Sequence, residues 1–183
     1  MTIFTIGHST LPIEKFLEIL GAHGIRQLID VRTIPKSRRN PQFGQDELAA
    51  SLGQQGIQYV HLPGLGGLRH ARKDSINTGW KNASFRGYAD YMQTDGFREG
   101  LAKLIDLAAA CPTVIMCAEA VPWRCHRSLI ADALAARGIE VQHILSAASR
   151  KPHAYTPFAR VEGELVTYPG LPLGTPSNGP DRL

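Results

Sequence analysis

The 183-residue chain fits one domain on length, because domains commonly run to about 150 residues. Its 43% hydrophobic and 20% charged residues make an ordinary globular balance and exclude wholesale disorder. A net charge of +4 permits an anionic ligand without demanding nucleic acid. No run approaches the roughly 18 apolar residues of a spanning helix, so no membrane partner is expected. Met1-Thr2-Ile3-Phe4-Thr5 lacks the basic start of a secretory leader. Cys111, Cys117 and Cys125 are too few, and odd in number, for a disulfide scaffold, which predicts a reducing, cytoplasmic setting.

Short apolar runs alternate with stretches of helical period. This predicts an α/β fold: a single three-layer domain of about five mostly parallel strands flanked by helices, with an irregular Pro-rich tail. Ile3 to Ile6 form the first strand, and Gly7-His8-Ser9-Thr10 turns the chain, with Ser9 or Thr10 as the helix cap. Ile13, Phe16, Leu17 and Leu20 share one helical face that Gly24 ends. Gln27 to Val31 is the second strand, followed by a loop to Gln45 in which Arg32, Lys36, Arg38 and Arg39 meet no acid. A helix over about 46–55 and a strand over 57–62 come next, then an aperiodic stretch over 68–83 that reads as a functional or mobile loop.

Phe85, Tyr88 and Met92 predict a short helix, and Phe97, Leu101, Leu104, Ile105 and Ala108 a stronger one. Val114 to Met116 is a buried strand ending at Cys117. Leu129, Ile130, Ala133 and Leu134 give the last helix, and Val141 to Leu145 the fifth strand. We divide the chain into an α/β domain over 1–148 and a C-terminal extension over 149–183, with a short hairpin over 161–166 and a disordered end.

Ligands of open parallel sheets bind beyond the carboxyl ends of the strands. Gly7, His8 and Ser9, then Asp30 and Arg32, then His61, then Cys117 and Glu119 all fall there, and Cys125-His126-Arg127 opens a helix. A thiol at a strand end, near a helix N-terminus and flanked by Arg and His, gains thiolate character. The candidate catalytic set is therefore Cys117, Glu119, His126 and Asp30. Gly7, His8, Ser9, Arg32, Ser37, Arg38, Cys125 and Arg127 are the candidate binding set. Cys117, Cys125 and His126 are also zinc-ligand types, but their spacing matches no zinc motif, so neither metal nor cofactor is expected. Trp80, Tyr88 and Tyr91 could stack on a base or simply pack. No Walker A sequence is present.

Thr5-Ile6-Gly7-His8-Ser9, Asp30-Val31-Arg32 with Pro35 and Ser37-Arg38, Tyr88-Ala89-Asp90-Tyr91-Met92, Met116-Cys117-Ala118-Glu119 and Cys125-His126-Arg127 occur in that order. Together they resemble the bacterial family called domain of unknown function 488, over roughly residues 2–146. The resemblance implies an α/β domain with these signature residues and implies no activity. The placement of Asp-x-Arg and a later cysteine is also similar to rhodanese-like sulfurtransferases. Cysteine phosphatases are a poorer match, because six residues separate Cys117 from Arg124 and Pro122 interrupts the loop.

The expected function is a thiol-dependent transferase or hydrolase acting on an anionic, nucleotide- or nucleic-acid-like substrate. A non-catalytic nucleic-acid module using loop 32–39 and a carboxylate hydrolase using Asp30 or Glu119 are the alternatives. Oligomeric state has no signal in the sequence.

Overall fold

The computed structural model describes residues 1–170. Strands β1 (Thr2–Gly7), β2 (Gln27–Asp30), β3 (Gln58–His61), β4 (Thr113–Cys117) and β5 (Glu140–Ser146) pair in parallel in the order β3-β2-β4-β1-β5. Strand β6 (Ser149–Pro152) adds antiparallel to β5 and ends the sheet. The alternation of β1 shows why the sheet is covered twice. Ile6 packs with helices α1 (Ile13–Ala22) and α2 (Gln45–Gln54), while Ile3 packs with α3 (Ala83–Tyr91), α4 (Asp95–Ala108) and α5 (Arg127–Ala135). The expected three-layer α/β architecture is thus the observed one. No described helix is long and apolar enough to cross a membrane.

Local chemistry explains the element ends. Asn82 accepts the amides of Ser84 and Phe85 at the start of α3, and Thr94 accepts that of Phe97 at α4. Helix α1 departs from expectation: Pro12 occupies its cap position with no side-chain cap bond, and Ser9 instead turns the chain at φ 48°. Gly24 follows α1 at φ 65°, a conformation that favours glycine.

The aperiodic stretch after β3 is pinned from below. Buried Asp90 accepts bonds from the Arg72 amide, the Ser75 hydroxyl and the Asn77 side-chain amide. The Tyr88 and Tyr91 hydroxyls donate to the carbonyls of Leu65 and Gly64, and Trp80 stacks on Phe85. These three aromatics therefore pack internally.

Beyond residue 148 the chain returns to the same core. The hairpin of β7 (Arg160–Glu162) and β8 (Leu165–Thr167) carries buried Val166, and Tyr168 follows it into the interior. Both cover α5, which is why Arg127 through Leu134 are all buried. The polar tie is Asp132. Its carboxylate accepts the Tyr168 hydroxyl at 2.8 Å, the Thr156 amide and hydroxyl at 3.1 and 2.7 Å, and His153 Nε2 at 2.9 Å. The expected disordered end, 171–183, lies outside the described residues.

Candidate active site

The connections place a crevice between β1 and β4. From β1 the chain leaves through α1 towards β2, whereas from β4 it leaves through α5 towards β5 on the opposite side. The two connections cover opposite faces of the sheet, and neighbouring strands whose connections leave to opposite faces form a hollow at their carboxyl ends. Here the backbones stay close: the His8 amide donates to the Cys117 carbonyl at 3.0 Å and the Ser9 amide to that of Ala118 at 2.9 Å. Gly7 is required by this approach, since a Cβ there would overlap the Glu119 carbonyl and lie 2.7 Å from Arg127 Nη1. Ser9 is the one described non-glycine residue with positive φ, and it lines the hollow.

At the floor, the sulfurs of Cys117 and Cys125 are paired, with Cα atoms 7.5 Å apart. The pair closes a short loop between β4 and α5, so it is a feature of the site rather than a scaffold. Cys111, which precedes β4 at the opposite, amino end of the strand, is free. This modifies the expectation of two free thiols: thiolate chemistry belongs to the reduced state. The cysteines are only 2% and 4% exposed, yet both line the hollow.

Arg127, the first residue of α5, is turned inward and 1% exposed. Its Nη1 donates to Cys117 Sγ at 2.7 Å and to the Glu119 carbonyl, and its Nη2 donates to the Ala120 carbonyl at 2.8 Å. Burial lowers its pKa to about 10, which leaves it charged at neutrality. No carboxylate contacts this guanidinium among the described residues, and its Nε has no partner there.

His126 serves the other cysteine. Its Nε2 donates to the Val31 carbonyl at 3.1 Å, which fixes the tautomer and leaves the Nδ1 lone pair 3.6 Å from Cys125 Sγ. Burial lowers its pKa to about 4, so the ring is neutral at neutral pH. Gly67 lets the ring in, because a Cβ there would sit 2.6 Å from Nδ1. His8 is also buried and lowered to about 4; its ring stacks on Phe43 and its Nδ1 bonds the Ser9 carbonyl.

The hollow is a cleft of about 660 Å³. His8, Ser9, Arg32, Ser37, Cys117, Glu119, Cys125 and His126 line it, as do Lys36, Arg39 and Arg124, three exposed cations. Four sequence candidates stand elsewhere. Gly7 and Arg127 are outside the lining, Arg127 bonded to Cys117 Sγ; Arg38 is exposed and outside the lining, and Asp30 is sealed. Asp30 is committed to its neighbours: it accepts the Arg32 amide at 3.1 Å and Nε at 2.9 Å, and the Tyr59 hydroxyl at 2.8 Å. Glu119 is exposed and lines the cleft, and its carboxylate makes no hydrogen bond to the described residues.

The sequence predicts Arg127 on the substrate and His126 as an acid/base partner of Cys117; its basic loop includes Arg39, but Arg39 and Arg124 stand outside the candidate binding set. The inward turn of Arg127 has a signal in hindsight: Ser128 through Leu134 contain only one charge, Asp132, as befits a helix buried all round. Among the described residues no group of three His, Cys, Asp or Glu is placed to hold a metal ion.

The family model for the domain of unknown function DUF488 matches residues 12–134, about two thirds of the chain. It takes in both cysteines, His126 and Arg127, but begins after Gly7-His8-Ser9. No curated protein and no solved structure matches the chain.

Proposed function

The chain belongs to the DUF488 family, whose name states no activity, and we propose that it is a thiol-dependent enzyme acting on an anionic, nucleotide-sized substrate. The observation that carries this reading is the buried Arg127 guanidinium. A buried charge is costly unless paired, and the only described side chain it touches is Cys117, at 2.7 Å. A Cys117 thiolate completes that pair, so the site favours the ionised sulfur that nucleophilic attack requires. Lys36, Arg39 and Arg124 stand on the cleft walls, where they would hold the substrate's negative charge. Ser9 and Ser37 add hydroxyls, and Glu119 offers an exposed carboxylate to exchange a proton with the leaving group.

The carboxylate-hydrolase alternative is weakened by Asp30, whose oxygens are spent on Arg32 and Tyr59. For a passive nucleic-acid module, the paired burial of sulfur and guanidinium has no purpose.

The test uses reduced protein carrying Cys111→Ser, so that only the site thiols react. Cys117 should be carboxymethylated by anionic iodoacetate in preference to neutral iodoacetamide, by about tenfold relative to a free cysteine peptide. The preference should collapse in high salt and in the Lys36→Glu/Arg39→Glu double variant. A rate ratio equal to that of the peptide would remove the proposal.

A further inference from the structure

Two cysteines share the cleft floor, but their surroundings differ in a way that the nucleophile reading does not use. Cys117 Sγ accepts from a buried charged guanidinium at 2.7 Å, whereas Cys125 Sγ has only the neutral Arg127 backbone amide at 3.5 Å and the Nδ1 of a neutral histidine at 3.6 Å. We propose that Cys117–Cys125 is a redox-active disulfide that oxidises anionic low-molecular-weight thiols, with Cys125 the sulfur attacked and Cys117 the leaving thiolate. This rests on the reading above in one respect, that Arg127 stabilises the Cys117 thiolate.

Leaving-group chemistry sets the direction of attack. Exchange expels the sulfur whose thiolate is better stabilised, and here that is Cys117. While the disulfide is closed, Arg127 is a buried cation with no anion against it; opening supplies one. Stabilising the reduced form makes a disulfide a stronger oxidant.

The chemistry balances in two steps. A thiolate RS⁻ attacks Cys125 Sγ; the Cys117–Cys125 bond breaks, and Cys117 departs with the electron pair as the thiolate beside Arg127. A second thiolate RS⁻ then attacks the R-bearing sulfur of the mixed disulfide. RSSR leaves, and Cys125 departs as a thiolate that takes a proton from solvent. The protein gains two electrons, and two thiols become one disulfide.

The cleft selects the thiol. Both sulfurs are nearly sealed, so only a molecule that fits within about 660 Å³ reaches them. Lys36, Arg39 and Arg124 favour one bearing carboxylates.

Glutathione is the probe. Cys111→Ser protein with the site disulfide intact is mixed with excess glutathione, quenched by alkylation at intervals, and mapped by mass. The expected course is a transient glutathione adduct on Cys125, then the dithiol with one oxidised glutathione per protein. Relative to a model peptide disulfide, glutathione should outpace neutral 2-mercaptoethanol by about tenfold, and Lys36→Glu/Arg39→Glu should erase the difference. An adduct on Cys117, equal rates with the two thiols, or a disulfide that survives conditions reducing the model peptide would overturn the inference. If dithiothreitol-reduced protein still alkylates at Cys117 with anion selectivity, the failure belongs to the redox inference alone. Loss of that selectivity as well removes the reading beneath it.

Discussion

Gly7→Ala is the sharpest perturbation of the account, because the added atom has nowhere to go. A Cβ at residue 7 would fall on the Glu119 carbonyl and 2.7 Å from Arg127 Nη1. Neither obstacle is a free side-chain end: the first is backbone, and the second is a buried guanidinium anchored to three acceptors. The β4–α5 loop must move, and the bonds from the His8 and Ser9 amides to the Cys117 and Ala118 carbonyls are the first to suffer. Overpacking costs about 1–3 kcal/mol, and two weakened backbone bonds add about 1 kcal/mol each. A total of about 3–5 kcal/mol follows. Urea unfolding measures it, alongside the rate of Cys117 alkylation in the reduced protein, which should fall as Arg127 is displaced from the sulfur. Gly21→Ala is the internal control: it lies within α1 with nothing within 4 Å of the added atom, and should be neutral or stabilising by up to about 1 kcal/mol. If Gly7→Ala behaves like Gly21→Ala in both measurements, the close approach of β1 to the loop does not build this site.

Asp132→Asn should destabilise by about 2–4 kcal/mol, since one buried carboxylate serves four donors from residues 153–168. Thermal unfolding together with limited proteolysis after residue 148 checks it, and an unchanged melting point with an uncut tail would contradict it. Stability should also decline on acidification. Burial holds His8, His126 and His143 neutral to about pH 4, against about 6.5 for an ordinary histidine. Between those values the unfolded chain binds protons that the folded chain refuses, so stability present above about pH 6.5 is lost as pH falls. Between pH 7 and 5 the loss is on the order of 1–2 kcal/mol per histidine. A urea midpoint that holds or rises over that interval would show these rings to be accessible.

Where burial follows a simple period, the fold was legible in the sequence. Val114-Ile115-Met116 is buried on both sides and reads as a central strand, and Ile13, Phe16, Leu17 and Leu20 write out the face of α1. Strand β6 carried no such mark: all four of its residues, Ser149 to Pro152, are exposed on an edge, so no apolar alternation is imposed on them. The tie between α5 and the C-terminal segment was illegible for another reason. It consists of polar contacts, Asp132 with His153, Thr156 and Tyr168, that are distant in sequence and leave no periodic trace.

The site divides in the same way. That His8, Ser9, Arg32, Cys117, Glu119, Cys125 and His126 share one edge follows from strand ends in a parallel sheet, and the structure gathers them in one cleft. Side-chain direction does not follow from strand ends. Arg127 turns inward because α5 is buried all round, His126 is claimed by the Val31 carbonyl, and Asp30 is spent on Arg32 and Tyr59. Arg39 and Arg124 needed loop geometry that no spacing encodes.

The pairing of sulfur with buried guanidinium is tested most directly by the pH dependence of Cys117 alkylation with neutral iodoacetamide, in reduced Cys111→Ser protein. The account predicts a midpoint below the about 8.5 of a free cysteine, shifting upward in Arg127→Met. A midpoint at or above the free value, unmoved by that substitution, would show that Arg127 does not stabilise an ionised sulfur and that the cleft has no nucleophile there.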